Sequence, residues 1–195
     1  MGRYGLIYSG TCLQRPRLTP TPPAPQLALR IRVPDHTIHC HDLIQGNYQQ
    51  NLASELGDFI IRRADGLFAY QLAVVVDDQW QGVTQVVRGM DLLDNTPRQI
   101  YLQHCLGYPT PEYLHIPLAD KPGGQKLSKQ THAPALKPTD PLLDLCQALC
   151  FLGHPDQPQA NDFSSLTDFW DWAIRHWRYQ FIPPVHSQPA PAGYY

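Results

Sequence analysis

Apolar and polar positions divide the chain into a β-rich first part and a helical last part. "ALRIRV" (28–33) and "HTIHCHDLIQG" (36–46) alternate the two, the pattern of half-buried strands. On such a strand His39 and His41 share one face and Cys40 takes the other. Residues 57–78, "GDFIIRRADGLFAYQLAVVVDD", place two β-rich runs around the turn pair Asp65-Gly66, which predicts a hairpin from Phe59 to about Val76. Its second arm is apolar until Asp77 and Asp78, as expected of a strand covered on both faces whose carboxyl end opens into a crevice. "QGVTQVVRGMDLL" predicts a further short strand ending at Arg88. Thr96-Pro97-Arg98-Gln99 reads as a capping box with proline at the first helical position, so a helix should run from Pro97 to about Leu106 and stop at Gly107.

Further on, Asp140-Pro141 can start a helix that carries Leu142, Leu145, Cys146 and Leu149 on one face and ends at Gly153. Ser165 can cap another, in which Leu166, Phe169, Trp170, Ala173, Ile174 and Trp177 keep the i, i+3, i+4 rhythm. The five prolines of "LQRPRLTPTPPAPQ" (13–26) exclude a regular ladder and mark a linker or surface crossing.

Composition narrows the function classes. The chain has 195 residues, enough for one ordinary domain with or without an appendage. Its 20 prolines are about twice the usual share of ~5%, so much of it should be corners. A formal net charge of -2 argues against a protein that coats nucleic acid nonspecifically, while local recognition of RNA stays open. Five cysteines without tight spacing do not form a disulfide framework and point to a reducing compartment. No apolar run reaches 18 residues, and "MGRYGLIYSGTC" lacks the layout of a secretory signal; the expectation is a cytoplasmic protein without a membrane partner.

The chemistry concentrates in "KPGGQKLSKQTHAPAL" (121–136). Lys126 and Lys129 flank Ser128 at a spacing that lets two ammonium groups converge on one anion, and Gly123-Gly124 lets the backbone approach it. Such charges stabilise pyrophosphate leaving an in-line displacement. A solvated basic turn would look the same.

"KLSKQ" resembles the KMSKS signature of class I aminoacyl-tRNA synthetases. Together with "DFIIRRADGLFAYQLAVVVDD" and "GVTQVVRGMDLLDNTPRQIYL", the block "KLSKQTHAPAL" resembles the glutamyl-tRNA synthetase superfamily. The continuation "THAPAL", and an end 65 residues past Gln130, are similar to its glutamyl-Q tRNA(Asp) branch, which has no anticodon-binding domain.

The resemblance implies an α/β fold: part of a Rossmann-like class I catalytic domain with a β-hairpin insertion and a short helical carboxyl-terminal part. By it, residues 1–46 are the remnant of an inserted zinc-site region with its proline-rich linker, and 47–130 the second catalytic half with the KMSKS-like loop. Residues 131–182 are the helical part and 183–195 a flexible tail. The implied reaction is ATP-dependent activation of glutamate, with magnesium, followed by transfer to queuosine in the anticodon of tRNA(Asp), by a monomer.

Lys129 matches the ATP-contacting lysine of the family, with Lys126 and Ser128 beside it, and the two lysines would be the catalytic groups. Tyr70 and Arg88 match the two glutamate-binding positions; a Tyr70 packed in a sheet and an Arg88 paired with Asp91 are the plainer alternatives. Tyr8 and Cys12 match half of the zinc site, but no Cys-x-Cys pair precedes them, so zinc should bind weakly if at all. The HIGH-like motif does not occur either, so the chain looks like the carboxyl-terminal half to two-thirds of a family member, expected to give no pyrophosphate exchange alone. A noncatalytic remnant that binds a nucleotide or partner weakly, and a fragment of an ordinary glutamyl-tRNA synthetase, are the alternatives.

Overall fold

The computed structural model of the chain describes residues 6–9, 27–128, 133–136 and 140–194. Its first elements are β1 (Ile7–Ser9), β2 (Leu29–Ile31), β3 (Thr37–Asp42), β4 (Gly46–Asn51), the short helix α1 (Leu52–Glu55) and β5 (Phe59–Arg62). Then come α2 (Tyr70–Gln81), β6 (Gln85–Gly89), a 3-10 segment Met90–Asn95, α3 (Thr96–Leu106), β7 (Glu112–Ile116) and β8 (Leu118–Asp120). The last are α4 (Pro141–Phe151), α5 (Leu166–His176) and β9 (Ser187–Pro189).

One sheet has the order β1-β2-β5 and is antiparallel, with Ile7 opposite Ile31 and Ile31 opposite Phe59. A four-stranded sheet has the order β4-β3-β7-β6, in which β3 and β7 run parallel with Asp42 opposite Tyr113. The expected alternation along β3 is present: Ile38 and Asp42 are buried, whereas Thr37, His39 and His41 are exposed.

By contact the chain separates into two units, residues 1–40, 47–85 and 94–112 in the first and 41–46, 86–93 and 113–195 in the second. The first has a core of Ile31, Ile61, Val75 and Leu102, with Phe59, Leu72 and Tyr101 packed against it. Each such burial stabilises by about 1.5–3 kcal/mol.

Here the hairpin expectation is corrected. The Asp65-Gly66 turn forms, with Gly66 at φ 89°, but its second arm is a single bridge between Arg62 and Phe68. The run after it is α2, twelve residues long, closed by Gly82 in the left-handed conformation at φ 69°. Twelve residues are too many for an ordinary strand, and helical spacing lets Leu72 and Val75 reach the same core. Asp77 and Asp78 therefore sit in the later part of a helix, not at the carboxyl end of a strand.

The helix beginning at Thr96 ends as expected at Gly107, which caps it at φ 71°. Its start differs from the expected capping box: Thr96 is already the first helical residue, and Asn95 stands at the N-cap without a side-chain cap hydrogen bond, while the amide of Gln99 donates to Gln71 Oε1 at 2.9 Å.

In the second unit, Asp140 caps α4 by accepting from the Leu143 N–H, and Ser165 caps α5 by accepting from the Asp168 N–H. Cys146, Phe169 and Ala173 form the buried cluster between the helices, flanked by Leu142, Leu145 and Leu149. Part of the 183–195 segment, expected to be a loose tail, is ordered as β9. It pairs parallel with β8, and the Ala190 N–H donates to the Asp120 carbonyl at 2.8 Å. Pro189 is tolerated there because an edge strand needs hydrogen bonds on one side only.

Candidate functional site

A buried polar constellation of the second unit starts at the end of β3. Asp42 is 1% exposed, and its Oδ1 accepts three backbone N–H groups: Gln45 at 2.8 Å, Ile44 at 3.0 Å and His115 at 3.2 Å. Its Oδ2 lies 2.6 Å from Nδ1 of His115, a side chain with no exposure at all. Burial pushes the Asp42 carboxyl up, but the hydrogen bonds from the His115 side chain and from these N–H groups outweigh it and hold it below the usual carboxylate range. An ionised carboxylate accepts only, so the proton of His115 sits on Nδ1.

Arg88, near the end of β6, completes the chain of contacts. Its Nε donates to Nε2 of His115 at 2.9 Å, and its guanidinium carbon stands 5.3 Å from the centre of the Tyr113 ring. Tyr113 and His115 are two residues apart on β7 and so share one face, their rings stacked with centroids 6.2 Å apart. Arg88 lies against both rings. Gln45 fixes the strand from the other side by donating to the His115 carbonyl at 2.8 Å.

The alternative pairing of Arg88 with Asp91 gives way to another arrangement, because the Asp91 carboxylate takes Lys126, Nζ to Oδ2 at 2.5 Å. Lys126 lies on a tight turn after β8, where the Lys121 N–H donates to the Gln125 carbonyl and the Leu127 N–H to the Ala119 carbonyl, both at 2.7 Å. Gly123 at φ 100° and Gly124 at φ 81° make that turn, so both glycines serve a left-handed backbone. Ser128 follows, its carbonyl accepting from the Ala133 N–H at 3.0 Å. Lys129 and Cys12 lie outside the described residues.

Thus Arg88, Lys126 and Ser128 belong to the second unit and Tyr70 to the first. Tyr70 is the first residue of α2 and 55% exposed, so it is not packed in a sheet. The Tyr8 hydroxyl donates to Asp58 Oδ2 at 2.8 Å. Among the described residues no group of three or more His, Cys, Asp or Glu side chains is placed to hold a metal ion.

Asp42 and His115 are the residues that sequence reasoning missed. The available signal was a lone histidine inside the apolar strand "YLHI", a position that burial would make costly without a partner.

Residues 21–152 match the family model described as tRNA synthetases class I (E and Q), catalytic domain. A glutamyl-Q tRNA(Asp) synthetase of Thiobacillus denitrificans is 54% identical over 190 residues, 95% of this chain and 61% of that protein. One of Neisseria meningitidis serogroup A is 50% identical over 93% of this chain and 60% of that protein. The chain therefore spans about three fifths of the length of these relatives. Among solved structures, a glutamate tRNA ligase from Elizabethkingia meningosepticum in complex with its amino acid superposes with a TM-score of 0.66 at 21% identity, over 83% of this chain and 36% of that one, a likeness of fold. The chain belongs to the family of class I tRNA synthetases (E and Q), within whose catalytic domain most of it falls.

Proposed function

We propose that this chain serves the ATP-dependent activation of glutamate and its transfer to queuosine in the anticodon of tRNA(Asp). The observation that carries the reading is Arg88 braced by a buried imidazole in a chain 54% identical to a protein of that name. A guanidinium so held pairs its planar fork with a substrate carboxylate, and the Tyr70 hydroxyl is assigned to orienting the same molecule.

In the activation step a glutamate carboxylate oxygen attacks the α-phosphorus of ATP, the bond to the β-phosphate breaks, and pyrophosphate leaves. Lys126, Lys129 and Ser128 are assigned to the triphosphate, where ammonium groups neutralise charge as it moves to the leaving group. Magnesium bound with ATP would help to neutralise the same charge beside these side chains.

Retention of labelled tRNA on the immobilised chain tests the tRNA assignment. Queuosine-containing tRNA(Asp) should be held about tenfold more tightly than tRNA(Glu), a difference of ~1.4 kcal/mol. Equal retention of the two would favour an ordinary glutamyl-tRNA synthetase, and retention of neither a remnant without this function.

A further inference from the structure

We propose that Asp42 and His115 are positioning residues for Arg88: the buried carboxylate fixes the imidazole tautomer, and the imidazole grips the guanidinium so that its fork meets a substrate carboxylate in one orientation. The proposal rests on the reading of Arg88 as the glutamate-binding arginine.

The hydrogen bonds leave one consistent assignment. Asp42 Oδ1 receives three backbone N–H groups, so that atom must be an acceptor. Oδ2, 2.6 Å from Nδ1, makes the imidazole donate there. The lone pair is then on Nε2, and it accepts from Arg88 Nε at 2.9 Å. Arginine stays protonated in proteins, so the reverse polarity is closed to this pair. The Tyr113 ring beneath the guanidinium limits its tilt. The ionised carboxylate of Asp42 thus sets the direction of a fork 46 residues away in sequence, through a histidine that itself has no exposure.

The isosteric change Asp42→Asn separates positioning from packing. An asparagine must keep its carbonyl oxygen on the three backbone N–H groups, which turns its NH2 toward Nδ1 of His115. The imidazole then has to accept at Nδ1 and carry its proton on Nε2, where it opposes the Arg88 Nε–H. Replacing His115 by Gln in the same variant puts an amide oxygen near the former Nε2 and restores an acceptor without help from residue 42.

Nitrogen-15 NMR of the histidine ring and of the Arg88 Nε–H, recorded on the whole chain without substrate, reads these states directly. In the unaltered chain His115 should show a protonated Nδ1 and an unprotonated Nε2, and Arg88→Ala should shift the Nε2 resonance. In Asp42→Asn the proton should move to Nε2, the Arg88 Nε–H signal should change, and glutamate affinity should fall about tenfold. Asp42→Asn/His115→Gln should recover most of both. A proton on Nε2 in the unaltered chain overturns the proposal even if Asp42→Asn fails to fold, and so does an Asp42→Asn chain whose glutamate affinity is unchanged while Arg88→Ala abolishes it. Should Arg88→Ala leave glutamate binding intact, the reading of Arg88 as its carboxylate partner falls, and the substrate-free Arg88 signal still decides whether Asp42 and His115 position it.

Discussion

Nε2 of His115 stands 2.9 Å from Nε of Arg88, and on its other side Nδ1 stands 2.6 Å from Asp42. A carboxylate, a ring and a guanidinium thus form one line, two of whose members are sealed from solvent. Removing either buried member leaves the other without its partner, which makes this region sensitive to pH and to single substitutions.

The acid response should show Asp42. Its folded-state value lies below that of a free carboxylate, so the unfolded chain binds the proton more readily than the folded one. Its contribution to stability is complete above the ordinary carboxylate value and is lost as pH falls through the depressed folded value. Unfolding by urea at a series of acid pH values should give a shallower decline for Asp42→Asn, from a lower stability at neutral pH. Parallel curves for the two chains would contradict the role of the carboxylate.

Gly89 makes room for the pairing of Asp91 with Lys126. A Cβ there would lie 2.7 Å from Asp91 Oδ1 and 3.2 Å from Leu118 Cδ2. The first neighbour is the end of a flexible side chain, so Gly89→Ala should swing the Asp91 carboxylate away from Lys126 and leave the strand in place. Both partners are about half exposed, and the pair is worth about 0–1 kcal/mol. In a double-mutant cycle, Lys126→Ala should cost less stability in the Gly89→Ala background than in the unaltered chain. Strict additivity would show that Gly89 does not govern this pair.

The two helices of the second unit give a packing test. On α5 the apolar rhythm includes both Phe169, 1% exposed, and Ile174, 72% exposed. Phe169→Ala should cost about 3–5 kcal/mol because it empties the cluster around Cys146 and Ala173. Ile174→Ala should change stability by less than about 0.5 kcal/mol. Thermal or urea unfolding of the two variants measures both, and similar losses would mean that the exposed side of α5 is covered in solution.

How far the sequence reveals this molecule depends on how local each signal is. The ends of α3, α4 and α5 are written in single residues, Gly107, Asp140 and Ser165, whose capping chemistry acts within a few positions. The run from Leu72 to Val76 is different, because its apolar and β-branched residues suit a buried strand as well as a buried helix face, and the core with Ile31 and Leu102 settles the choice. The site divides in the same way. Arg88, Tyr70 and Lys126 stand in stretches that carry the family resemblance, whereas Asp42 and His115 are 73 residues apart and acquire meaning only when β3 and β7 pair.

Calorimetric titration of L-glutamate into the chain, before and after Arg88→Ala, tests the central claim most directly. With the guanidinium gone, affinity should fall by about 10- to 100-fold, the loss of one or more charge-assisted hydrogen bonds at ~1.5–3 kcal/mol each. Equal affinity in the two chains would show that the braced arginine is not the carboxylate's partner.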